Sequence, residues 1–199
     1  MSISRPISRQ SILPGLLMSI LSISFVSCKS GLPPTEFANA SFDFSFVQRV
    51  AVVPFDNLSS DSQAGERATR LLITELLASG AVDVVEPGEV QAALRKLGGG
   101  RITAPSAEQV IALGDALNIQ GVVIGTVAQS EVMRFGSAMR PVVTLDAQMI
   151  ETDTGATVWA ATHTEKGSTL SARVLGTGGE PLGETTRRCV QTLLGTLLD

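Results

Sequence analysis

The sequence predicts an α/β (α+β) fold: a mixed β-sheet that ends in a C-terminal antiparallel hairpin, with helices packed on it. Three observations carry this. RVAVVPFDN (49–57) is a near-continuous apolar run, which marks a central strand covered on both faces. Several segments repeat apolar residues at helical spacing between capping signals. Two stretches of alternating polarity, PVVTLDAQMIE (141–151) and ATVWAATHTEK (156–166), flank Asp153-Thr154-Gly155, as a hairpin with one buried face requires.

The elements follow in order. Residues 1–27 are expected to be a secretory leader: Arg5 and Arg9 precede an apolar run, Ile12 to Val26, too short for the roughly 20 residues of a membrane span. It ends in Phe25-Val26-Ser27-Cys28, which resembles the bacterial lipobox, with Phe25 where leucine is commoner. That resemblance implies acylation of Cys28 and, because Lys29 follows it, sorting to the outer membrane. Residues 28–46 are then the lipidated cysteine and a Ser/Pro/Gly-rich tether, extended and mobile in its first half. Phe42, Phe44 and Phe46 alternate with polar residues near its end, as an edge strand or a strip laid on the domain would.

A single domain is expected over 47–199. After its first strand, Ala68, Leu71, Leu72 and Leu76 (flanked by Leu77) predict a helix over 62–79, stopped by Gly80. AVDVVE (81–86) is a short strand. Pro87 opens a helix with Val90, Ala93, Leu94 and Leu97 on one face, closed by Gly98 and the GGGR loop. Ser106 and Gln109 have capping-box spacing and start a third helix carrying Val110, Ile111, Leu113 and Leu117. GVVIGTVAQSEV (121–132) is a strand, MRFGSAMRP (133–141) a loop, and the hairpin follows. After the Gly-rich LGTGGEPLG (175–183), a last helix presents Leu182, Cys189, Val190, Leu193, Leu194 and Leu197.

Charge and motif content narrow the function classes. The formal net charge is −4, and no basic cluster exists beyond Arg187-Arg188, so nucleic acid is not an expected partner. Two cysteines and one histidine, far apart, assemble no metal site. Cys189 reads as a small buried hydrophobe, with a Cys28–Cys189 disulfide left open as the alternative. Asp-Thr-Gly is the aspartic-protease signature, but a protease places two apolar residues before it, where this chain has Glu151-Thr152, and needs a nearly all-β chain. A turn in which Asp bonds its own backbone and Gly takes a positive φ fits better. The glycines 176, 178, 179 and 183 lack the Lys-Ser/Thr of a phosphate loop, and Glu180 and Glu184 would repel phosphate. No cofactor is expected. His163 reads as a surface strand residue and Trp159 as a cover for the sheet edge. Met133, Arg134, Phe135, Met139 and Arg140 are apolar and cationic residues in a loop, and are the candidate partner contact.

RVAVVPFDN with its helix, VDVVEPGEVQAALRKLG, ALGDALNIQGVVIGTV and VTLDAQMIETDTGATVWAATHTEK together resemble the curli-secretion-channel (CsgG) and penicillin-binding-protein-activator (LpoB) lipoprotein superfamily, over roughly residues 47–168. The resemblance implies the fold of the TolB N-terminal domain and a lipid-anchored protein on the periplasmic face of the outer membrane. It further implies action through contacts with envelope proteins, as an accessory to secretion or surface assembly or to peptidoglycan synthesis. A ring-forming, homo-oligomeric secretion subunit is the second expectation, and a hydrolase using Asp153 or His163 the third. The chain is not expected to be an enzyme.

Overall fold

The computed structural model describes residues 33–98, 102–136, 138–167 and 180–198. Cys28 and its leader, the GGGR loop beyond Gly98, and most of the Gly-rich loop lie outside them. Within this range the strands are β1 (Thr35–Ala38), β2 (Arg49–Val52), β3 (Asp56–Asn57), β4 (Asp83–Val84), β5 (Gly121–Phe135), β6 (Ala138–Glu151) and β7 (Thr157–Lys166). The α-helices are α1 (Ala64–Ser79), α2 (Pro87–Gly98), α3 (Ala107–Leu117) and α4 (Leu182–Leu198), and a 3-10 turn covers Phe44–Phe46. None of these helices is long and apolar enough to cross a membrane.

One mixed sheet holds all the strands, in the order β1-β7-β6-β5-β2-β4, with β3 beside β5. Its left half is antiparallel (β1, β7, β6, β5) and its right half parallel (β5, β2, β4). The apolar run in β2 is explained by this position: Val50, Ala51 and Val52 are buried because helices lie on both sides. Leu72 and Leu76 of α1 and Cys189, Val190 and Leu193 of α4 close one face over Leu145, Ala147, Met149 and Trp159. On the other face α2 and α3 bring Val90, Leu94, Val110 and Leu113 onto Ala51, Val53, Val122 and Ile124.

The local signals act as expected. Gly80 ends α1 at φ 65°. The capping box forms: Ser106 Oγ accepts from the Gln109 N–H at 3.3 Å, and Gln109 Oε1 accepts from the Ser106 N–H at 2.9 Å. The mixed sheet with four helices on it is the predicted fold class.

Four expectations need correction. The strand near the N-terminus is Thr35–Ala38, inside the expected tether, and it pairs antiparallel with β7 from Thr35↔Thr162 to Ala38↔Trp159. Phe42, Phe44 and Phe46 form no strand. Phe42 and Phe44 meet edge to face at 5.0 Å and pack against the core, while Phe46 is exposed. Residues 133–141 are not a loop but the ends of β5 and β6, turning at Gly136. Trp159 is fully buried rather than covering an edge, and its indole N–H donates to Thr196 Oγ1 at 3.1 Å, because α4 lies over β7.

Packing is tightest where Phe55 crosses β5. A Cβ on Gly125 would stand 2.3 Å from two Phe55 ring carbons and 2.8 Å from the Asp146 carbonyl oxygen. Gly125→Ala is therefore expected to destabilise the chain by about 1–3 kcal/mol through overpacking. Gly88→Ala, with nothing within 4 Å of the new methyl, stays within about 0.5 kcal/mol. Urea unfolding of the two variants beside the parent chain measures both.

Candidate functional site

β7 last pairs with β6 at Lys166↔Val142, whereas β5 and β6 continue pairing to Phe135↔Ala138. Among the described residues, Val132–Phe135 and Ala138–Pro141 thus continue past the last β7 pair as a two-stranded ribbon, with the Gly167 N–H donating to the Pro141 carbonyl oxygen at 2.8 Å at its base. Directly opposed residues share a face. One face therefore carries Met133, Phe135 and Arg140, and the other carries Val132, Arg134 and Met139. Val132 is 52% exposed, Met133 37%, Phe135 39% and Met139 51%, so apolar side chains meet solvent on both faces. Lys166 lies with its ammonium 5.7 Å from the centre of the Phe135 ring. At the base, Gln129 Nε2 donates to Glu131 Oε1 at 2.7 Å and reaches Met133 Sδ at 3.3 Å.

All five residues of the predicted contact are therefore brought together, on a ribbon instead of a loop. Val132 and Lys166 belong with them and were missed. Val132 looks like the end of a buried strand, and Lys166 reaches Phe135 only through the register of β7.

A second bare surface adjoins the ribbon. α2 and α3 cover β2, the start of β5 and Ile150 at the end of β6, and among the described residues no helix lies on the rest of that face of β6, β7 and β1. There Thr126, Asp146, Gln148 and Thr162 line a cavity of about 430 Å³, with Glu36 and Phe37 of β1 at its side. The Thr162 hydroxyl donates to Asp146 Oδ1 at 2.6 Å, and the Thr144 and Thr164 hydroxyls meet at 3.0 Å. These polar residues alternate with Leu145, Ala147, Ala161 and His163, which face α1 and α4.

The Asp-Thr-Gly turn lies at the opposite end of the sheet. Asp153 is exposed, and the residue that organises the turn is Glu151. Its carboxylate accepts the N–H of Asp153 at 2.7 Å, the N–H of Thr154 at 2.9 Å, and the Thr154 hydroxyl. Gly155 takes φ 75°, with Ala107 of α3 closing the space a side chain would need. The expectation that Asp153 would bond the turn's backbone is corrected: the longer Glu151 side chain does so from inside the strand. Burial opposes the Glu151 charge most strongly, but the hydrogen bonds from Thr154, Asp153 and Ala156 outweigh it and hold the carboxyl below its ordinary 4.5.

His163 also departs from expectation, being buried at 6% exposure under α4. Its Nε2 stands 3.2 Å from Glu165 Oε2. Glu165 accepts from Arg188 at 3.1 Å, and Arg188 donates to Glu180 at 2.9 Å. This string pins β7 to the start of α4. Cys189 lies beneath, with Sγ 3.5 Å from the His163 carbonyl oxygen and 3.7 Å from that of Val143. Burial, with Glu165 nearby, pushes the thiol up to about 12, so it is neutral and a poor nucleophile. Among the described residues no three His, Cys, Asp or Glu side chains come together as a metal site.

No family model matches the chain, and no curated protein does. Solved structures do. PelC from Paraburkholderia phytofirmans, a dodecamer, superposes with a TM-score of 0.58 at 22% identity, over 82% of this chain and 95% of that one. Lipoprotein GNA1162 from Neisseria meningitidis gives 0.53 at 16% identity, over 76% and 98%. The LpoB C-terminal domain from Salmonella enterica aligns more loosely, at 0.47 and 17% identity, over 59% and 81%. The first two show that the fold is one known from bacterial proteins, a lipoprotein among them.

Two measurements check the site chemistry. Cys189 is expected to resist iodoacetamide in the folded chain and to react only on unfolding, as followed by mass spectrometry at neutral pH. Because folding lowers the Glu151 pKa, its contribution to stability is full above the ordinary carboxylate range and disappears as pH falls through the lowered value. Glu151→Gln should therefore be less stable than the parent at pH 7. The gap should narrow as pH falls below the ordinary 4.5 and the parent carboxylate protonates, as denaturant unfolding at pH 7 and across a series of lower pH values would read.

Proposed function

We propose that the chain is a lipid-anchored envelope protein, acylated at Cys28 and held on the periplasmic face of the outer membrane, that acts through protein contacts in cell-envelope biogenesis. The observation that carries this is the half-bare sheet: one face is sealed by α1 and α4, while the other half-face and the ribbon beyond it meet solvent. Such a shape offers surfaces, and three of its titratable groups are committed to structure: Glu151 to the turn, His163 to Glu165 under α4, Cys189 to the core. The likeness to lipoprotein GNA1162 supports the anchored reading at the level of fold.

Pairing of β1 shortens the tether. Six residues, 29–34, separate Cys28 from Thr35. The seven steps from one Cα to the other span at most about 25 Å. A domain held that close favours a partner at the same membrane, in a secretion or surface-assembly apparatus, over a wall-synthesis enzyme reached through peptidoglycan.

A second reading, homo-oligomerisation into a ring, is supported by the dodecameric state of PelC. The ribbon contributes only four residues per strand beyond the third strand. A membrane-spanning hairpin needs roughly 9–11 in each. A ring of these chains would be a collar on the membrane and not a pore by itself.

Two experiments separate the readings. A photocrosslinking residue at Gln148, on the bare face, should give an adduct with another envelope protein in living cells; light alone producing no adduct contradicts the contact reading. Light scattering of the acylated chain in detergent should give a monomer mass if the partner is another protein, and a mass of many subunits if the ring is right.

A further inference from the structure

We infer that the β5–β6 ribbon docks into the lipid leaflet to which the chain is anchored, giving the domain a second attachment point and a fixed, end-on orientation. The inference rests on the proposed acylation of Cys28 and names the occupant of the ribbon.

The first argument is topological. β1 runs antiparallel to β7, with Thr35 opposite Thr162 and Ala38 opposite Trp159. Stepping backward from Thr35 therefore leads along β7 toward Lys166, whose partner Val142 adjoins the ribbon. The tether enters the domain at the ribbon's end of the sheet, and the Asp-Thr-Gly turn lies at the far end. The second argument is length. Thr162 is opposite Asp146, and the ribbon extends from there to Ala138. Those eight steps rise about 27 Å. The ribbon is thus about as long as the greatest separation, about 25 Å, that residues 29–34 allow between Thr35 and an anchoring leaflet.

The third argument selects lipid over a protein surface. A single protein partner seated on one face of a ribbon leaves the other wet. Here Met133 and Phe135 stand on one face and Val132 and Met139 on the other. Apolar residues on both faces suit a medium that surrounds the tip. Charge agrees: in a chain of net charge −4, the ribbon carries the exposed Arg134 and, at its base, the exposed Lys166 beside the acid Glu131. Long cationic side chains flanking apolar ones place their stems among acyl chains and their heads among phosphates.

The test uses the full, processed chain in vesicles of phosphatidylethanolamine and phosphatidylglycerol, with no other protein present. Dansylalanine replaces Met139 in one sample and Asp153 in another, and mass spectrometry reads the acylation of Cys28 in each. The expected result is a blue shift at position 139, quenched by brominated acyl chains, with water-like emission at position 153. Met133→Glu combined with Phe135→Glu, shown to be folded by circular dichroism, should abolish the shift. An acylated chain whose 139 probe stays in water overturns the ribbon inference and leaves the anchor standing. A chain without acylation whose 139 probe still enters lipid retains the ribbon contact and overturns the anchor. A chain without acylation and with a wet probe overturns both.

Discussion

The rest of the structure depends on the long antiparallel pairing of β5 with β6, from Gly121↔Glu151 to Phe135↔Ala138. Its first residues supply the edge on which β2 lies parallel, its middle supports β7, and its far end runs on alone. A register break between Val127 and Gln129 adds local twist just beyond the last parallel pair of β5, Val127 with Asn57 of β3. Nearby, Gly125 admits the Phe55 ring, and Thr69 Oγ1 accepts the Phe55 N–H at 2.9 Å, fixing the start of α1 against the same strand. Arg67 repeats the tie lower down, joining Asp61, Ser130 of β5 and Thr186 of α4. Both parallel and antiparallel halves take their register from this one pair.

The two faces of the sheet differ because the alternation along β6 and β7 is strict. Leu145, Ala147 and Met149 must leave water, and α1 with α4 covers them. Thr144, Asp146 and Gln148 would lose hydration under a helix without regaining all their hydrogen bonds, so that half-face stays open. Half of the sheet is thus a core and the other half a surface.

Much of the architecture was legible in the sequence, for physical reasons that also explain the gaps. Helices α1, α2 and α3 announce themselves through caps and spacing, and the hairpin through alternation about Asp-Thr-Gly. Alternation arises only where one face is buried, so the ribbon, with apolar side chains exposed on both, reads as a loop from Met133 to Pro141. β1 was hidden for the same reason: all four of its residues are exposed on an edge. His163 and Trp159 were misplaced because their strand gives the correct period but not which neighbour lies above it. Only the packing of α4 over β7 decides that. Glu151 was missed because nothing in a strand-end glutamate marks it as the acceptor for the next turn.

The chain enters β1 at the ribbon's end of the sheet, and the proposed membrane contact puts that end on the lipid. Neutron reflectometry of the processed chain on a supported bilayer reads this contact. Protein density should overlap the headgroup layer, with the rest of the domain extending outward along the membrane normal. A water-filled gap between the lipid and the protein, about as thick as the tether is long, would contradict it.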